Sequence, residues 1–158
     1  MKNAVSKLLD NWPTFRASLG NLTSDVLVGV PADKITRKDV MTNASLAYIH
    51  DQGSPAANIP ARPFMRPGIM EVKDFIAKEL EKGARGAMNG DAGAVDIALN
   101  RAGLKAQASI RGKINEGIAP ELAPSTLAAR RARGRTGTKP LVDTGQLRNS
   151  INYVVRKK

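Results

Sequence analysis

Three prolines, Pro60, Pro63 and Pro67, lie close together in the stretch Ile59-Pro60-Ala61-Arg62-Pro63-Phe64-Met65-Arg66-Pro67-Gly68, and no other local feature constrains this chain as strongly. Each fixes its own φ and disfavours the helical region for the residue before it. Ile59, Arg62 and Arg66 are therefore expected to be extended, which makes 59–68 a stiff non-helical arm with Phe64 between two arginines. Such an arm has little conformational entropy left to lose on docking. Two readings follow. The arm is an ordered connection that pins Phe64 into the chain's own core, or it is a clasp that inserts Phe64 into a neighbouring subunit.

What surrounds the arm has to supply a core without many aromatics. Apolar residues make up 42% of the 158 residues but aromatics only 4%, so packing rests on Ala, Val, Ile and Leu. Small side chains bury less area each, which predicts a modestly stable monomer. The absence of cysteine excludes disulfides and Cys-based zinc sites and suits a reducing cytoplasm, and a single histidine, His50, leaves no His-rich metal site. No apolar run approaches the ~20 residues of a membrane span, and the N-terminal stretch does not read as a secretory signal. The formal net charge is +11, which points to a polyanion or an acidic protein surface as partner. Residues 122–158 carry nine Lys/Arg against the single acid Asp143, whereas residues 1–121 carry 16 against 13. The basic character belongs mostly to the C-terminal quarter.

The patterning predicts an α+β chain read as one domain, 1–158, with a small antiparallel sheet flanked by helices. Residues 2–12 have helical spacing, with Trp12 as an anchor. Val26, Val28 and Val30 alternate in a short strand closed by Pro31. Asn43 is placed to cap a short helix carrying Ala44, Ala47 and Tyr48 on one side and ending at Gly53. After the arm, 70–117 reads as a helical hairpin insertion. Its first helix has a stripe of Val72, Phe75, Ile76, Leu80 and Ala84. Its second, about 92–116, has Val95, Ala98, Leu99, Ala102, Ala106, Ile110 and Ile114. Residues 122–141 read as a short basic helix, begun by Pro124, and a flexible basic linker. In 142–158, Asp143 and Gln146 form a capping-box pattern with Val142 and Leu147 as its hydrophobic staple. The strand Ile151–Val155 follows and is expected to pair with 26–30.

Four blocks resemble one family when taken together. They are Leu46-Ala47-Tyr48-Ile49-His50-Asp51-Gln52-Gly53, then Ile59 to Pro67, then Pro124-Ser125-Thr126-Leu127, then Lys139-Pro140-Leu141-Val142-Asp143-Thr144-Gly145-Gln146-Leu147-Arg148-Asn149-Ser150-Ile151. Their order and content are similar to those of the tail-completion, or virion-morphogenesis, proteins of tailed bacteriophages, which act at the head–tail neck. Segment 92–116 matches that pattern least. The resemblance implies a small sheet flanked by helices and a homo-oligomeric ring, six-fold, between the portal or adaptor proteins and the tail tube or tail terminator. It also implies a location in the virion after synthesis in the host bacterial cytoplasm. It brings no catalytic residues and no cofactor.

On this reading Arg62, Pro63, Phe64, Met65 and Arg66 are the candidate subunit interface. Arg130, Arg131, Arg133, Arg135 and Lys139 are candidates for lying near DNA; the plain alternative is a solvated basic face. Without interleaved aromatics, any such contact would be with phosphate and strongly salt-dependent. A basic, non-specific DNA-binding or architectural protein is the rival function. His50 and Asp51 are adjacent on a helix and so do not face one another. Glu71, Asp74, Glu79 and Glu81 read as helix-surface carboxylates among lysines. Gly83-Ala84-Arg85-Gly86 lacks the Lys-Ser/Thr of a phosphate loop. No acid, base, nucleophile or metal set converges, and a non-enzymatic role is expected.

Overall fold

A computed structural model describes Arg16 and residues 23–32 and 41–157. The reading made for 2–12 with Trp12 lies outside the described residues. The fold is α+β: among the described residues, a two-stranded antiparallel sheet with six complete α-helices. In chain order these are β1 (Ser24–Gly29), α1 (Asn43–Gln52), a 3-10 turn (Pro55–Ala57), α2 (Met65–Glu71), α3 (Lys73–Met88), α4 (Ala94–Glu116), α5 (Pro124–Ala132), α6 (Gln146–Ser150) and β2 (Asn152–Lys157). β1 pairs with β2, as the alternation of Val26 and Val28 with Tyr153 and Val155 predicts. The sequence reading treated 1–158 as one domain. The described residues pack as two compact units, each discontinuous in sequence. One holds the described residues up to Leu27, Lys73–Lys105 and the stretch from Tyr153; the other holds the described residues of Val28–Val72 and Ala106–Asn152.

Helix α4 supplies core to both units, Ala94–Lys105 to the first and Ala106–Glu116 to the second. Val95, Ala98, Leu99, Ala102, Ala106, Ile110 and Ile114 are all buried, the stripe that the 3–4 spacing predicts. The helices expected over 70–117 thus carry core as well as forming a hairpin.

In the first unit, α3 buries a different face from the one its hydrophobicity suggests. Phe75 and Leu80 are each 41% exposed, while Glu79, Gly83 and Ala87 are buried. The cause is close helix approach: a Cβ on Gly83 would lie 2.5 Å from the Ala98 Cβ of α4. Small residues let the two backbones meet, and larger apolar groups are turned aside. Glu79 is no surface carboxylate. It accepts from Lys82 and, at 3.3 Å, from Arg101 Nη1, which compensates its burial. The hydrogen bond from Lys82, then that from Arg101, holds its carboxyl below the ordinary glutamate value. Across the strands, Arg156 Nε donates to Asp25 Oδ1 at 2.8 Å and Nη2 to Oδ2 at 3.1 Å.

In the second unit the core is Ala47, Phe64, Ile110, Ile114, Leu147 and Ile151, with Val28, Val30, Met65 and Ile69 packed against it. Burying each large aliphatic or aromatic group contributes about 1.5–3 kcal/mol. Helix α1 is capped by Thr42, whose hydroxyl accepts the Ser45 amide at 3.1 Å, so the cap precedes the expected Asn43 by one residue. Asn43 and Ala47 face inward while Tyr48 is 71% exposed, against the expected apolar side. Gly53 ends the helix at φ 79°. Gln107 is buried and donates to the Ile151 carbonyl at 2.9 Å, satisfying a backbone acceptor at the end of α6.

Candidate functional site

The arm is extended only as far as Pro63. From Met65 onward it is helix, and Arg66, expected to be extended, lies in the first turn of α2. Pro67 is tolerated there because the first-turn amides have no intrahelical acceptor, so its missing N–H costs nothing. The amides that do need an acceptor find one in α1. Asp51 Oδ1 accepts Phe64 N at 2.8 Å and Met65 N at 3.0 Å, capping α2 from a distance. The Arg62 amide donates to the His50 carbonyl at 2.8 Å, tying the arm to the end of α1 a second time.

Phe64 is completely buried, among Ile110, Ile114, Leu147 and Ile151 of its own chain. This corrects the clasp reading in its original form: the aromatic is already used inside the protomer. Arg62 is also turned inward, 6% exposed, with Nε on the Pro120 carbonyl at 2.8 Å and Nη2 on the Glu121 carbonyl at 3.0 Å. Burial lowers its guanidinium pKa from the usual value. Of the five predicted interface residues, only Pro63 and Arg66 are exposed, and Met65 is half-buried.

The basic segment divides in the same way. Arg130 is buried, and its Nη1 donates to the carbonyls of Gly137 at 2.9 Å, Lys139 at 3.0 Å and Val142 at 2.9 Å. It cannot lie against DNA, and 135–140 is folded around its guanidinium rather than forming the expected flexible linker. Arg135 pairs with Asp143, and Lys139 Nζ donates to the Asn115 carbonyl at 2.8 Å. Arg131 and Arg133 remain outward. Asp143 does not cap the terminal helix, because both its oxygens face arginines, Arg135 and, at 3.7 Å, Arg130. Helix α6 begins instead after Gly145, at φ 76°, without a side-chain cap.

These placements create a cleft of about 430 Å³ in the second unit. Arg62 from the arm lines it together with Arg130, Arg133 and Arg135 from the basic segment, and so do Leu46, Leu122, Leu141 and Leu147. His50 and Asp143 also line it. Sequence reasoning found the arginines but not their meeting, since the positions lie some seventy residues apart and no periodicity links them. It also missed Asp51 as the anchor of the arm, although a carboxylate at the end of α1 was the signal available. Among the described residues, no group of three or more His, Cys, Asp or Glu is placed to hold a metal ion, and no helix is long and apolar enough to cross a membrane.

No family model matches the chain, and no solved structure matches it. Similarity is found to an uncharacterised protein of Methanocaldococcus jannaschii, 42% identical over 53 residues, which are 31% of this chain and 39% of that protein. The chain thus spans about two fifths of that relative's length.

Proposed function

We propose that this chain is a structural virion protein that completes or joins a phage tail at the head–tail neck, assembling there as a ring. One observation supports the reading above others. Three of the four sequence blocks similar to the tail-completion proteins supply Ala47, Phe64, Leu147 and Ile151 to a single core, and Asp51 of one block caps Phe64 and Met65 of the next. The ring needs a heterologous interface that closes on itself. Pro63, Met65 and Arg66 are the parts of the arm left to contribute to it, with Phe64 acting from beneath as their support. The test is the chain's position and copy number in images of purified particles, together with native mass spectrometry beside the neighbouring neck proteins. Rings in the neck are the expected result; absence from intact particles sinks the proposal.

A second reading, non-specific contact with DNA, draws on Arg131 and Arg133, which are exposed and without acidic partners among the described residues. Its signature is duplex binding that weakens steeply with salt and with charge reversal at those two positions.

A further inference from the structure

Arg62 presents an electrostatic problem that the fold leaves unsolved. Its guanidinium is buried, yet both carbonyls that it meets are neutral, and among the described residues it has no carboxylate partner. Its Nη1 makes no hydrogen bond within the described chain, and Arg62 lines the cleft. Arg130 holds three carbonyls through Nη1 and shares Asp143 with Arg135, at 3.7 Å from Nε, while its Nη2 makes no hydrogen bond among the described residues. Arg133 uses only Nε, on the Ala129 carbonyl. Four arginines therefore line a cleft whose lining holds one carboxylate, Asp143, divided between Arg130 and Arg135. A buried charge normally has a counter-charge.

We propose that this cleft is the docking site for an acidic, leucine-bearing segment of a protein partner, whose carboxylates supply the counter-charges that the fold lacks. Guanidinium forks match carboxylates in bidentate geometry. The lining also holds four leucines, Leu46, Leu122, Leu141 and Leu147, which suits apolar side chains placed between the acids. No Phe, Tyr or Trp lines the cleft, so the large aromatic faces on which single-stranded bases usually stack are lacking there. The volume of about 430 Å³ accommodates a few side chains rather than a folded domain. The inference stands apart from the neck reading, because its test takes the same form whether or not the chain is found in particles.

The probe is the peptide acetyl-Glu-Leu-Glu-Glu-Leu-Glu-amide, titrated calorimetrically into the full chain. Its Gln-for-Glu counterpart and a short duplex oligonucleotide run in parallel. The acidic peptide is expected to bind saturably, and the Gln version about tenfold or more weaker, as expected for lost charge-assisted bonds. Arg133→Glu, an exposed change, and Arg62→Met should each weaken the acidic peptide by about tenfold or more. Arg66→Glu, outside the cleft, should leave its affinity unchanged. If Arg62→Met does not fold, as judged by circular dichroism, Arg133→Glu still decides. Absence of peptide binding overturns the proposal. So does equal binding of the Gln peptide, indifference to Arg133→Glu, or tighter binding of the duplex in a manner that Arg133→Glu abolishes.

Discussion

The carboxylate of Asp51 accepts the amide of Phe64 at 2.8 Å, and the same oxygen accepts Met65 at 3.0 Å. One side chain at the end of α1 thereby sets where the proline-rich arm stops being extended and starts being helix. Asp51→Ala should destabilise the protein by about 0.5–2 kcal/mol, the usual effect of losing a cap. Urea unfolding measures this, and an unchanged midpoint would show that solvent satisfies those amides equally well.

Phe64→Ala should cost about 3–5 kcal/mol, the range for emptying a buried aromatic site. Arg66→Ala, two residues on and exposed, should stay within about 0.5 kcal/mol of the parent. Thermal unfolding of both separates core from surface. If Phe64→Ala folded with near-normal stability, the aromatic would have to be acting outside its own protomer.

Two glycines of α4 make a matched pair. A Cβ on Gly103 would lie within 2.8 Å of Val26 Cγ2 and of the Tyr153 ring, whereas nothing approaches within 4 Å of one on Gly112. Gly103→Ala should therefore destabilise by about 1–3 kcal/mol through overpacking despite better helix propensity. Gly112→Ala should stabilise by about 0.5–1 kcal/mol. Chemical denaturation should move the two in opposite directions.

Arg130→Met removes three hydrogen bonds to carbonyls of the 137–142 loop and should cost about 1.5–3 kcal/mol or more. Trypsin digestion offers a local readout: cleavage after Arg133 and Arg135 should become faster. Unchanged cleavage would mean that the loop is held in place by other contacts.

Acid should act through Glu79. Its folded-state pKa lies below the ordinary value because of Lys82 and Arg101, so the folded state resists protonation more than the unfolded chain does. The resulting stability is fully present above the ordinary glutamate value of about 4.5 and is lost as pH falls through the folded value. Glu79→Gln should flatten this acid-side decline in the unfolding midpoint. A decline as steep as the parent's would assign it to other carboxylates.

Periodicity made α4 and the strand pair legible, because Val95 through Ile114 and Ile151 through Val155 repeat at spacings that dictate a face whatever they pack against. The same reasoning misplaced the inward face of α3. There the neighbour is a helix, and backbone proximity at Gly83 outweighs the area that Phe75 or Leu80 would bury. Asp143 shows a different limit. Its capping-box spacing with Gln146 is a local signal, and it lost to Arg130 and Arg135, which only tertiary folding brings near. Within the site, each arginine was visible singly. Their arrangement around one cleft depends on Arg62 crossing to the carbonyls of Pro120 and Glu121, a contact that no local pattern encodes.

The bidentate pair between Asp25 and Arg156 joins positions 131 residues apart. Loop closure on that scale makes the sheet a late event in folding. At a synthesis rate of about 5–20 residues per second, a newly made β1 waits on the order of ten seconds for its partner strand to be translated. Throughout that interval its valines and leucine form an open edge, the kind of template that recruits other chains. Asp25 places a carboxylate on that edge, where charge discourages such recruitment. The residue that later fastens the finished sheet would thus first guard the nascent chain in the crowded environment of the polysome.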